Sequence, residues 1–245
     1  TLVQNIPEIM SKPRSIQFSP KLLRDYSFAA LANANELVME AIILHKHGHF
    51  ARAYFLAVAS IEETGKSFLA FDNQQRNLSD SSVSTALRRA MESHSQKIGS
   101  AFSAWLLASP NIRESIMPAV NLIVDLKNGR EPAMYTDISS DFSTIQAPAV
   151  VVREKATIDC IKLATECLSH TQMHILDKTP EERTLAQDQM FAMKTEHFQK
   201  IMGTEDFWWY YIDQLEAGSK DMAEAVMSYQ KNYSKAGLLF LKPNN

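Results

Sequence analysis

The sequence predicts an all-α protein: an antiparallel four-helix bundle with additional C-terminal helices. Three observations support this. Among 245 residues there are only 7 glycines and 9 prolines, and they concentrate at breaks between periodic segments. Alanine, leucine and methionine are plentiful while runs of valine, isoleucine and threonine are scarce, a balance that favours helix over strand. Helix start and stop signals are also legible along most of the chain.

Ser19-Pro20 reads as an N-cap followed by a first-turn proline. A long helix should therefore run from Lys21 to His47 and stop at Gly48, with a second from His49 to Phe71. Asn73 to Ser82 is polar and loop-like, and Val83 to Ala108 reads as one continuous third helix. Ser109-Pro110 repeats the start signal and opens a fourth helix that stops near Asn128-Gly129. The short loops favour an up-down arrangement of these four. Glu131 to Val151 loses the periodicity and reads as an irregular connector across the bundle. Further helices are expected at Val152–Asp177, Glu181–Met202, Glu205–Glu216 and Lys220–Ala236, with a capping box at Thr179-Pro180-Glu181-Glu182. The expected organisation is an N-terminal extension (1–19), a bundle (20–140) and a helical extension (141–245) packed on the same core.

Composition excludes several classes of function. The net charge is −3, so any contact with nucleic acid needs a local basic patch rather than a global field. No uninterrupted apolar run approaches the ~18 residues of a membrane span, and the first residues lack a signal-peptide core. Cys160 and Cys167 lie seven apart on one helix face, too far apart for a disulfide. A reducing, cytoplasmic location and no membrane association are expected.

The most informative stretch is Ile61-Glu62-Glu63-Thr64-Gly65-Lys66. A glycine within a helix costs about 1 kcal/mol relative to alanine. Tyr54, Val58, Ile61, Gly65 and Phe68 recur at steps of four and three, which places Gly65 on the core stripe. Its missing side chain would let another helix approach closely. Glu62 flanks that stripe and Glu63 points further out, toward the side of Ala59, Ser67 and Ala70; Lys66 can pair with either. Leu87, Met91, His94, Ile98, Ala101 and Trp105 form the corresponding stripe of the third helix, so His94 should face inward with Lys97 one turn on. Buried polar groups need partners, and these two clusters are the simplest partners for each other. A third group follows in Lys-Asn-Gly-Arg-Glu-Pro-Ala-Met-Tyr-Thr-Asp, which contains Arg130, Tyr135 and Asp137.

Taken together, the Ala53, Ala57, Glu62-Glu63-Thr64-Gly65-Lys66 helix, the His94-x-x-Lys97 helix and the Arg130 to Asp137 segment resemble the AbiV family of abortive infection proteins, within the HEPN superfamily. The opening helix from Phe28 onward fits as well, so the resemblance covers residues 20 to 140. It implies a HEPN-like helical bundle, a homodimer and a role in bacterial antiphage defence, with no cofactor or metal. Many HEPN proteins are ribonucleases that use an arginine followed four to six residues later by histidine. Here that pair is Arg89 and His94, with Arg88 as an alternative. Histidine titrates near neutrality and can shuttle a 2′-hydroxyl proton, while arginine stabilises phosphorane charge. On one straight helix, however, five residues turn through about 140°. Arg89 and His94 would then diverge unless a helix start or a partner subunit intervened.

Other candidates read as structural. Glu166, His170 and His174 share a helix face at steps of four, as ligands could, but lack a metalloprotease glutamate. His45, His47 and His49 suit a helix end. Phe-Trp-Trp-Tyr-Tyr, 207 to 211, covers most sides of a helix and suits a core or interface better than base stacking. There is no phosphate-cradling glycine loop and no nucleophile elbow.

Two functions remain open at this level. In one, a cluster of Glu62, Glu63, Lys66, His94, Lys97, Arg130, Tyr135 and Asp137 cleaves translation-related RNA, with His94 as acid/base and Arg89 or Lys97 stabilising charge. In the other, the same cluster is structural and the protein binds a phage or host protein.

Overall fold

A computed structural model describes residues 18–109 and 111–233, without the side chains at 112, 113, 115 and 118. The expected N-terminal extension therefore lies outside the described residues, apart from Phe18 and Ser19. Helix α1 (Pro20–Lys46) begins where the sequence signals it: the Ser19 hydroxyl accepts a hydrogen bond from the Leu22 amide. It ends at Gly48, whose φ of +77° suits glycine. Helix α2 (Phe50–Asp72) returns antiparallel to α1. Small residues let the two backbones approach, and side-chain hydroxyls bridge them. Ser27 donates to the Ser67 carbonyl at 2.9 Å and Ser60 to the Ala34 carbonyl at 2.7 Å.

The third expected helix is three helices: α3 (Ser81–Glu92), α4 (His94–Ala101) and α5 (Ser103–Ala108). The break falls at Ser93, whose backbone is extended and whose hydroxyl accepts from the Gln96 amide. Helix α6 (Ile112–Gly129) starts at an Asn111 cap rather than at Ser109-Pro110. The connector is less irregular than expected. It holds a minimal antiparallel hairpin, β1 (Asp137–Ile138) with β2 (Ile145–Gln146), and a short α7 (Pro148–Val151). Helix α8 (Glu154–Asp177) follows.

The core sits around α2, which is buried on nearly every side. Val38 of α1, Val58 and Ile61 of α2, Ile98 of α4, Leu126 of α6 and Cys160, Ala164 and Leu168 of α8 form one apolar cluster. Helix α8 runs alongside α2 in the same direction. Thr157 donates to the Phe50 carbonyl near the start of both, and the His174 ring meets Phe68 and Phe71 near the end of both. The bundle thus does not close at residue 140: α8 is one of its principal walls, while α6 covers a flank. Ser67 and Ala70, expected on the outer side, are fully buried as well.

The remaining helices are α9 (Leu185–Ala192), α10 (Thr195–Met202), α11 (Glu205–Glu216) and α12 (Met222–Asn232). The capping box lies at Thr184 and Gln187 rather than at Thr179 to Glu182, and α9 and α10 replace one expected helix. The last helix ends at Asn232, and the expected extension to Ala236 runs outside the described residues. These helices do not join the bundle's core. Phe207, Tyr210, Val226 and Tyr229 centre a separate cluster, so the aromatic run is core, with Trp208 left at the surface. Their link to the bundle is both polar and apolar: buried Asp188 accepts from Arg76 at 2.9 Å and from the Asn77 amide at 3.0 Å, and Phe191 packs on a smaller cluster of Leu23, Ala70, Leu78 and Leu87.

Over an 18-residue window, α1 reaches a mean hydropathy of 1.3, long and apolar enough by length and composition to cross a membrane. Here its Leu23, Ala34, Val38 and Ala41 pack into protein.

Candidate functional site

Gly65 explains how the polar residues meet. A Cβ built on it would lie 1.8 Å from the Lys97 carbonyl oxygen, so α4 crosses α2 backbone against backbone at this point. Any larger residue would separate the helices. The crossing brings the first turn of α4 over Glu62, one turn before Gly65.

Glu62 is 6% exposed and holds three basic groups. The His94 Nδ1 lies 2.9 Å from Oε1 and 2.8 Å from Oε2. Lys97 Nζ lies 2.8 Å from Oε2, and Arg130 Nε 2.9 Å from Oε1. Burial by itself would raise the Glu62 carboxyl; hydrogen bonds from Lys97 and His94 outweigh it and hold the group below its ordinary value. Glu62 is therefore a carboxylate, which can only accept, so His94 Nδ1 carries the hydrogen. In the neutral ring Nε2 is then the basic nitrogen. Lys97 is 5% exposed and fully committed, whereas the His94 side chain is 53% exposed. His94 thus does not point into the core. It sits at the first position of α4 with one ring edge fixed from beneath and the other open. Two permanent cations facing one carboxylate leave the cluster with a net positive charge, which suits an anionic ligand.

Arg130 reaches Glu62 from the C-cap of α6, and its guanidinium also sits over the Phe55 ring. Glu63 and Lys66 pair with each other at the flank, both partly exposed. Tyr135 and Asp137 are not brought into the cluster. Tyr135 is 57% exposed, and Asp137 accepts from the Ile138 amide in β1. Arg89 is exposed in the last turn of α3 and makes no ion pair with Glu62. The angular objection to an Arg89–His94 pairing no longer applies, because the chain between them is not one helix. The feature that sequence reasoning missed was Ser93-x-x-Gln96, a capping pattern that breaks the helix just before His94.

The other sequence candidates lie elsewhere. Among the described residues no three His, Cys, Asp or Glu side chains converge as a metal site would require. The His174 ring lies tilted against Phe68 and edge-on to Phe71, and burial lowers its basicity. His45 faces Glu154 at 3.7 Å across the α1–α8 contact. Cys160 and Cys167 are free and buried, and burial pushes the Cys167 thiol up to about 12.

A search of curated proteins and one of solved structures give no match. A family model described as AbiV matches residues 22–169, more than half of the chain and most of α8 beyond the motif region. The matched span carries the whole Glu62 cluster and the bundle that positions it: the chain belongs to the AbiV family of HEPN-type abortive infection proteins.

Proposed function

We propose that the protein is a metal-independent endoribonuclease of antiphage defence, acting in the cytoplasm on translation-related RNA. The observation that supports this reading is His94: its ring is anchored through Nδ1 on a buried carboxylate and open on its other edge. That is the arrangement of a general base whose tautomer and orientation are fixed by a carboxylate. Nε2 of His94 takes the proton of a 2′-hydroxyl as that oxygen attacks the adjacent phosphorus. A 2′,3′-cyclic phosphate forms and the 5′-oxygen leaves with a proton. Charge on the phosphorane falls to an arginine at the end of α3, where Arg88 and Arg89 stand. A homodimer and a phage-encoded trigger belong to the same proposal.

The test compares wild type with His94→Ala on ribosome-associated and total RNA, together with protection of cells against phage. His94→Ala should lower cleavage at least about a hundredfold. Its stability should stay within about 1 kcal/mol, because the ring is largely exposed. Undiminished cleavage by His94→Ala would rule the mechanism out.

The saturation of Glu62 by Lys97 and Arg130 favours a second reading. A carboxylate so fully paired also serves to lock α2, α4 and α6 together. In that case the protein protects by binding a phage or host protein, and protection survives in His94→Ala without cleavage in either form.

A further inference from the structure

Next to the cluster lies a cavity of about 530 Å³, within the range of roughly 300–1,000 Å³ usual for small-molecule sites. Its lining is mixed: Leu22, Tyr26 and Met91 are apolar or aromatic, and Lys66, Arg88 and Lys97 are cationic beside one carboxylate, Glu92. Lys97 belongs to both the cavity and the Glu62 cluster, and His94 stands one turn before it on α4. Lys66 and Lys97 are already paired with Glu63 and Glu62. Arg88 is held more loosely: its ion pair with Glu92 is long, at 3.9 Å, and its buried Nε has no hydrogen-bond partner. Arg89, its neighbour, is exposed and does not line the cavity.

We propose that this cavity holds one nucleotide of a single-stranded RNA, with the base against Tyr26 and the adjoining phosphate on Arg88. The inference rests on the nuclease reading for its substrate class. It adds which of the two arginines meets the phosphate and where the neighbouring base lies. A planar guanidinium with an uncommitted donor matches two phosphate oxygens, and an aromatic face accepts any base. Tyr26 of α1 and Arg88 of α3 line the same cavity, so both a base and its adjoining phosphate find a matching group there.

The test uses a fluorescein-labelled 2′-O-methyl oligoribonucleotide six residues long. It lacks the attacking hydroxyl, so binding is read by anisotropy without cleavage. Arg88→Ala should weaken binding about tenfold and lower the salt slope by about 0.7, the loss of one phosphate contact. Tyr26→Ala should weaken it about tenfold while Tyr26→Phe keeps it. Arg89→Ala, which removes the same charge next door, should stay within about twofold. Failure of the wild type to bind, or equal losses in Arg88→Ala and Arg89→Ala, would overturn the assignment. The two readings fail separately. Arg88-dependent binding with no cleavage of an unmodified RNA keeps the cavity and removes the nuclease. Cleavage with Arg88→Ala unchanged in binding and rate does the reverse.

Discussion

Glu62 is the residue on which the site depends, because it is the single acceptor for three basic groups in a place water hardly reaches. Its carboxyl is held below its ordinary value of 4.5, so its contribution to stability is present above that value. The contribution is lost as pH falls through the lowered value of the folded state, where the carboxylate protonates and Lys97 and Arg130 lose their partner. Urea unfolding of wild type between pH 7 and pH 3 should show this acid limb. Glu62→Gln should lose about 3 kcal/mol at pH 7, since buried Lys97 loses its counter-charge. The variant should also lack Glu62's share of the acid dependence. A Glu62→Gln protein as stable as wild type at pH 7 would show that Lys97 finds water instead. Sequence spacing placed Glu62 inward and Glu63 further out; Glu62 is buried, but the Glu63 side chain is only 18% exposed, because the side it faces is covered as well. Spacing did not place Arg130 on the Glu62 carboxylate, because residues 62 and 130 meet only through the docking of α6.

At the scale of elements, the crossing of α2 and α4 determines the site, and Gly65 determines the crossing. The atom that a Cβ would meet is a backbone oxygen, which cannot step aside as a flexible side chain could. Gly65→Ala should therefore cost about 3 kcal/mol through overpacking and move His94 and Lys97 off Glu62 together. Gly99, two residues beyond Lys97 in the same short helix, offers the matched control, because nothing lies within 4 Å of its missing Cβ. Gly99→Ala should raise stability by up to about 1 kcal/mol. Denaturation midpoints of the two variants give the comparison directly; similar midpoints would contradict the close crossing. The break at Ser93 is equally decisive, since it turns what periodicity alone reads as an inward stripe residue into a helix-start histidine.

At the scale of the molecule, the described residues form two larger apolar clusters, and the junction between them combines a smaller apolar cluster around Leu23, Leu87 and Phe191 with a polar contact. Arg76 meets buried Asp188, and its guanidinium lies 4.1 Å from the centre of the Phe191 ring. Of the C-terminal extension, α8 packs into the main core, whereas α11 and α12 carry enough aromatic surface to centre a cluster of their own. Helix α6 has the opposite imbalance. It buries Ala119 and Leu126 but leaves Ile116, Val120 and Val124 along an exposed stripe, with Met117 beside it. A second copy of the chain on that stripe is the homodimer we propose. Val120→Glu should then halve the mass measured by sedimentation while leaving the helical circular dichroism unchanged. A wild-type protein that is monomeric at micromolar concentration would refute it.

The sequence alone determined the helical class, the ends of α1, α2, α8 and α11, the family, and the pairing of the Glu62 turn with the His94 turn. All of these rest on local chemistry: caps, glycine stops, and the period of apolar residues along one element. Only the tertiary structure decided that α8 completes the bundle, that Arg130 joins the carboxylate while Tyr135 and Asp137 do not, and that Arg88 rather than Arg89 faces the cavity. Each of these depends on which helix faces pack together across long separations in the chain. Local periodicity can give a face its character but cannot name the element that covers it.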